Sequence, residues 1–197
     1  MNAVAQPSRA RAFSALFLIE MWERFGYYGM QALLVLFMVQ YLGFEDARAN
    51  LTWGALAAMI YAVPIIGGWI GDKVLGACRS TMLGAILLMC GYGLLSIPWD
   101  QVVSADWAKP LLFFSMGVIA VGNGLFKANP NNLVSRLYEG EPSKLDGAFT
   151  MYYMSINVGA FLSQMLTPWI RVHYGWHWAF LACAAGLVIG VAQFHLQ

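Results

Sequence analysis

The sequence predicts an all-α polytopic membrane protein, and three observations carry that expectation. Hydrophobic residues make up 60% of the chain and charged ones 11%, with a mean hydropathy of +0.61, well away from globular averages. Six apolar segments approach the roughly 20 residues needed to cross a hydrocarbon core of about 30 Å. Inside the first of them lie Glu20, Glu23 and Arg24, although one ionised side chain at a bilayer centre costs roughly 2.5–3.5 kcal/mol on insertion scales. Such a cluster needs partners, water or a function, and the default reading is a transport site.

The expected spans are 13–39, 51–71, 81–98, 108–129, 148–170 and 176–195, which leaves no length for a soluble domain. In the first, Glu20, Glu23, Arg24, Tyr27, Tyr28 and Gln31 share one helical sector of roughly 140°, with Leu18, Trp22, Phe25 and Leu33 on the remainder. An i, i+4 ion pair of Glu20 with Arg24 that only neutralises itself is the plain alternative, but it does not account for Glu23, Tyr27, Tyr28 and Gln31. The second span carries Tyr61 and Pro64 ahead of a glycine-rich run that includes Gly68 and ends at Asp72, followed by Lys73 and Arg79 in a short loop. Glycines, an acid and a basic loop form a gating-loop pattern, although solvated charges at a helix end look much the same.

The third span offers only packing residues. Cys78, Cys90 and Cys183 have no CxxC spacing, so they read as packing rather than as metal ligands or disulfides. In the fourth span Lys127 stands within Gly122-Asn123-Gly124-Leu125-Phe126-Lys127-Ala128-Asn129-Pro130. A lysine near a helix end can snorkel to the interface, yet Asn123 is one turn back on the same face and the glycines let a second helix approach closely. The fifth span has Tyr152, Tyr153, Asn157 and Gln164; the last three share a face suited equally to interhelical hydrogen bonding and to substrate contact. His173 and His177 have i, i+4 spacing ahead of the sixth span, but no carboxylate or cysteine accompanies them, so no metal site is expected.

Loop charges set the orientation. Arg9, Arg11, Lys73, Arg79, Arg136 and Lys144 fall on the side of the amino terminus, and Arg48, Lys109 and Arg171 on the other. The positive-inside rule then places both ends of the chain in the cytoplasm, with Trp53, Trp99, Trp107, Trp169, Trp176 and Trp178 as interfacial anchors. Residues 1–11 read as a short cytoplasmic tail rather than a signal peptide. A net charge of +1 points to no nucleic-acid partner. No metal cluster or activated nucleophile suggests an enzyme, and no repeated pore element suggests a channel.

Four motifs carry a resemblance. Glu20-Met21-Trp22-Glu23-Arg24-Phe25-Gly26-Tyr27-Tyr28-Gly29 resembles the ExxERFxYYG motif of the proton-dependent oligopeptide transporters (POT/PTR), a branch of the major facilitator superfamily. The stretch 68–79 is similar to the superfamily's loop motif between helices two and three. Phe149-Thr150-Met151-Tyr152-Tyr153-Met154-Ser155-Ile156-Asn157-Val158-Gly159 is similar to the family's fifth-helix signature, and the segment around Lys127 to the bacterial dipeptide and tripeptide permeases. Superfamily members have two six-helix bundles, so the resemblance implies the amino-terminal bundle of a longer transporter, built as a three-helix repeat and its inverted partner. Two departures stand out: Ala128 occupies a place where many relatives have proline, and Gly54 one where animal members have histidine, which leaves proton sensing in this half to Glu20 and Glu23.

The resemblance implies proton-coupled symport of dipeptides and tripeptides across a bacterial inner membrane, with protons as the coupling ion and no cofactor. Nitrate or another small solute, as in some plant relatives, is the alternative, as is a non-transporting assembly. Glu20, Glu23, Arg24 and Lys127 would couple protons. With both glutamates ionised, internal salt bridges hold the cations; protonation frees positive charge for a peptide carboxylate, Arg24 as a planar fork and Lys127 as a point charge. Inward movement of one charge gains about 2.3 kcal/mol per 100 mV. Tyr27, Tyr28, Tyr61, Tyr153 and Asn157 are the further expected substrate contacts. The peptide amine is expected to meet an acidic group in the carboxy-terminal bundle.

Overall fold

The computed structural model describes residues 8–102 and 105–196, so most of the expected tail lies outside the described residues. The helices are α1 (Arg9–Gln40), α2 (Asp46–Ile70), α3 (Ala77–Leu95), the single turn α4 (Trp99–Val102), α5 (Ala105–Lys127), α6 (Asn129–Leu137), α7 (Pro142–Tyr174) and α8 (Trp176–His195). The long ones, α1, α2, α3, α5, α7 and α8, are the six expected spans. Asp46–Leu75, Ala77–Leu95, Asp106–Leu137 and Trp176–His195 are long and apolar enough by composition alone to cross a membrane. The other two, α1 and α7, have 32 and 33 residues and rise about 50 Å each. Polar residues dilute their composition, and the two helices pack on each other, which turns many of those groups inward.

Helix boundaries differ from the expected ones where glycine or proline stands at a helix end. The third span begins at Ala77 rather than Thr81, directly after Gly76, whose φ of 82° only glycine adopts easily. Ahead of it, Gly71–Leu75 is a π-helical turn. The chain beyond Asn129, expected as loop, is α6; Pro130 stands in its first turn, where a missing N–H leaves no bond unmade. Pro142 likewise opens α7 ahead of the expected start. Gly175, at φ 97°, separates α7 from α8, so His173 and His177 are on different helices: His173 Nδ1 lies 2.9 Å from the Trp169 carbonyl oxygen and His177 packs against Tyr41. Trp99 is not an interfacial anchor. It is fully buried against Phe37 and donates its Nε1–H to the Leu94 carbonyl at 3.1 Å. Trp107, Trp169 and Trp178 are exposed at helix ends, as expected of anchors, while Trp53 and Trp176 are partly buried against the core. Cys183 is buried, but Cys78 and Cys90 face outward.

The helices pair in a repeating pattern. α1 packs mainly on α7 and α8, α5 mainly on α2 and α3, and α3 meets α8; exchanging α1, α2 and α3 for α5, α7 and α8 leaves that pattern unchanged. Small residues permit the closest crossings. Gly159 of α7 lies against the Met21 backbone and Arg24 Cβ on α1, and Gly67 of α2 against the Gly124 backbone on α5. The same number of residues separates Met21 from Gly124 as separates Arg24 from Lys127. Each cation therefore stands one turn beyond an equivalent glycine crossing.

Candidate functional site

Polar side chains from five helices converge on an open recess of about 230 Å³. It is lined by Glu20, Arg24, Tyr27 and Tyr28 of α1, Tyr61 of α2, Lys127 of α5, Asn131 of α6, and Tyr152, Tyr153 and Ile156 of α7. A larger pocket of about 360 Å³, near the amino-terminal end of α1, is lined by mostly apolar side chains such as Leu16, Leu133 and Phe194. Convergent polar groups, rather than volume, mark the functional candidate.

Arg24 sits between two carboxylates. Its Nε is 2.8 Å from Glu20 Oε1 and 2.8 Å from Glu23 Oε2. A single N–H cannot point at both: it donates to Glu20, and Glu23 Oε2 has charge contact without a hydrogen bond. The remaining carboxylate oxygens reach other helices. Tyr152 OH donates to Glu20 Oε2 at 2.5 Å, and Asn123 Nδ2 to Glu23 Oε1 at 3.4 Å. Glu23 is 0% exposed, Glu20 2% and Arg24 7%, so the cluster is buried; removing Arg24 would leave two buried carboxylates without their cation, at a cost of about 3–5 kcal/mol. Among the described residues no protein group hydrogen-bonds the two Nη groups of Arg24.

Lys127 has a different setting. Its Nζ lies 3.9 Å from the centroid of the Tyr61 ring, a cation–π contact of about 0.5–2 kcal/mol, and among the described residues it has no carboxylate partner. The expectation that internal salt bridges hold both cations therefore applies to Arg24 alone. The reason is geometric: Glu20 and Glu23 spend their oxygens on Arg24, Tyr152 and Asn123, and the Lys127 ammonium lies on the Tyr61 ring instead.

Of the expected site residues, Glu20, Arg24, Tyr27, Tyr28, Tyr61, Lys127 and Tyr153 meet at the recess, and Glu23 lies buried behind Arg24. Asn157 does not line it: its Nδ2 donates to the Tyr153 carbonyl of its own helix at 3.2 Å and its side chain is exposed. Gln31 and Gln164 are likewise exposed outside it. Tyr152 and Asn131 were missed. Tyr152 stood beside the chosen Tyr153 on another face of α7, and Asn131 lay in what read as loop. The expected gating residues lie apart from the recess lining. Asp72, exposed, accepts from Asn132 Nδ2 at 3.4 Å; Gly68 packs near Ala128; Arg79 is exposed without a salt bridge among the described residues.

The chain is similar to known proteins in sequence and in fold. Residues 79–196 match the POT family profile. Dipeptide and tripeptide permease A of Proteus mirabilis (strain HI4320) is 47% identical over 196 residues, 100% of this chain and 38% of that protein; its counterpart in Escherichia coli (strain K12) is 46% identical over 194 residues, 98% of this chain and 37% of that protein. The chain thus spans less than two fifths of the length of these curated relatives. A solved chain from work on substrate recognition in proton dependent oligopeptide transporters superposes with a TM-score of 0.86 at 51% identity, over 96% of this chain and 42% of that one. The peptide transporter POT in complex with sulfate gives a TM-score of 0.87 at 34% identity, over 94% of this chain and 37% of that one. Relatives named as permeases and transporters are not enzymes, and the six-helix bundle has their fold. With apolar spans, a matching profile over most of its length and relatives at this identity, the chain is an integral membrane protein and belongs to the POT family.

Proposed function

We propose that this chain supplies the amino-terminal bundle of a proton-coupled symporter of dipeptides and tripeptides in a bacterial inner membrane, with both ends of the bundle cytoplasmic. The observation that carries the reading is the division of labour within Arg24. Its Nε serves the buried Glu20–Glu23 pair, while its Nη edge has no hydrogen-bond partner among the described residues, its guanidinium lies 5.8 Å from the Tyr27 ring centroid, and Lys127 stands in the same recess on an aromatic face. Two cations in one partly desolvated recess favour an anionic group, and a peptide carboxylate is the fitting one. Tyr27, Tyr28, Tyr61, Tyr152, Tyr153 and Asn131 offer the surrounding polar contacts.

Protons are the proposed coupling ion. With Glu20 and Glu23 both ionised, the glutamates outweigh Arg24 by one charge, which cancels the field of Lys127. Protonating either glutamate removes that excess and leaves the recess with net positive charge. A carboxylate can then bind at the Nη edge and at Lys127 without breaking the Nε contact, so the proton acts through the field rather than by competing for the same donor. The peptide amine is left for a group in the proposed carboxy-terminal bundle.

Replacing Glu20 or Glu23 by Gln imitates a permanently protonated carboxyl. In proteoliposomes with an inward proton gradient, both variants are expected to lose accumulation of a labelled dipeptide while keeping at least part of the exchange at equal pH. Accumulation against a gradient by both variants, with unaltered pH dependence, would remove these glutamates from coupling.

A further inference from the structure

Lys127 is the last residue of α5, and the helix breaks immediately after it. Pro130, in the first turn of α6, donates no backbone bond back across the joint to α5, so side chains hold the two helices together there. The Asn129 side chain sits inside the joint. It is fully buried, and its Nδ2 donates to the Leu125 carbonyl at 2.7 Å and to Ser80 Oγ of α3 at 3.1 Å; Ser80 Oγ also donates to the Leu125 carbonyl, at 3.2 Å. Its Oδ1 is buried without a hydrogen bond and faces Gly71 at the end of α2, where any Cβ would overlap the carboxamide. One side chain thereby bonds α3 to the joint that carries Lys127 and packs against the end of α2. Tyr61, on which the Lys127 ammonium rests, belongs to that same α2.

We infer that Asn129 is a positioning residue for the transport site: by bracing the broken α5–α6 joint against Ser80 and Gly71, it fixes Lys127 over Tyr61 and so sets the geometry with which a carboxylate is held. The inference deepens the proposed function, since it rests on Lys127 acting as a carboxylate-binding cation. The amide is specific to the task. Its two N–H donors meet two oxygens, whereas a carboxylate of the same shape would turn an acceptor toward the Leu125 carbonyl. Without the amide the Leu125 carbonyl keeps only the longer bond from Ser80 Oγ and Ser80 loses its donor from the joint, so the joint relaxes and carries Lys127 with it.

The test uses purified protein in detergent. Wild type is expected to bind a dipeptide with a free carboxylate at least about tenfold more tightly than the same dipeptide amidated at its carboxyl end, the scale of one charge-assisted hydrogen bond. Asn129→Ala, and Asn129→Asp as the variant that keeps the shape, should lose most of that preference while binding the amide as wild type does. Equal weakening for acid and amide would reduce Asn129 to general support of the fold and overturn the inference. A second measurement is independent of substrate. With the native cysteines replaced by alanine and Lys127→Cys introduced, adding Asn129→Ala should change the rate of modification by a negatively charged methanethiosulfonate several-fold; an unchanged rate would also overturn the inference. A wild type indifferent to amidation would instead overturn the carboxylate reading, and the labelling rate then decides the brace on its own.

Discussion

Arg24 and Lys127 share a sign and little else. Arg24 can satisfy Glu20 and Glu23 through one nitrogen and still present two more, because a guanidinium has several donors in a fixed plane. A lysine at the same place has a single nitrogen, which either serves the glutamates or faces the recess. Arg24→Lys is therefore expected to abolish proton-driven uptake of a labelled dipeptide, and Lys127→Ala to do the same, because no other lysine among the described residues lines the recess. Proteoliposomes with equal protein amounts are the measurement; normal uptake by Lys127→Ala would return that residue to snorkelling. Tyr152→Phe removes a hydrogen bond to a buried carboxylate, of about 1.5–3 kcal/mol, and is expected to shift the pH at which uptake is half-maximal while leaving expression intact. The i, i+4 spacing made the Glu20–Arg24 contact legible from sequence, and the wide polar stripe includes Tyr27 and Tyr28, which line the recess, but also Gln31, which lies outside it. Tyr152 was not legible, because periodicity states which residues share a face and not which face meets α1. Gly159 decides that, by seating α7 against Met21.

Helices cross here on glycine, and the cost of filling such a crossing exceeds that of an ordinary core change. A leucine at position 159 would meet the Met21 backbone, which no rotamer change relieves. Gly159→Leu should destabilise the folded bundle by more than about 3 kcal/mol, the upper part of the overpacking range, seen as aggregation or a lowered Tm in detergent. Gly147→Leu, on the same helix with open space around it, is the control and should leave Tm nearly unchanged. The starts of α1 and α7 are tied differently. Arg9 and Lys144 both pair with Glu141, and those contacts, with Lys144 the largest, hold its carboxyl below its ordinary value of 4.5. A depressed folded value means that the contribution is complete above the unfolded value and is lost as pH falls through the folded one. Wild type should accordingly exceed Glu141→Gln in thermal stability at neutral pH, with the gap closing only below the usual carboxylate range. Hydropathy alone marks four of the six spans; α1 and α7 carry too many polar groups for it and are legible from the length of their apolar segments. The α5–α6 break was not, because a proline two residues past a helix end reads equally as a stop and as the first turn of the next helix.

The bundle as a whole makes a claim about sidedness. Positive loop residues favour placing both ends in the cytoplasm, so reporter fusions in the loop at Asp46 should report the periplasmic side and fusions after Leu137 the cytoplasmic side; the reverse would overturn the orientation. The pairing of helices has a further consequence. Because α1 relates to α5 as α7 relates to α2, Arg24 and Lys127 are counterparts, and so are the crossings at Gly159 and Gly67 beneath them. Two like charges are thus mounted on opposite members of a duplicated scaffold, facing one small chamber. If the two three-helix units tilt against each other, an anion between them loses distance to one host as it gains it to the other, and the sum of two Coulomb attractions changes less than either alone. Such a guest is cradled rather than pinned, so it can travel with the rocking walls without first climbing out of a deep electrostatic well.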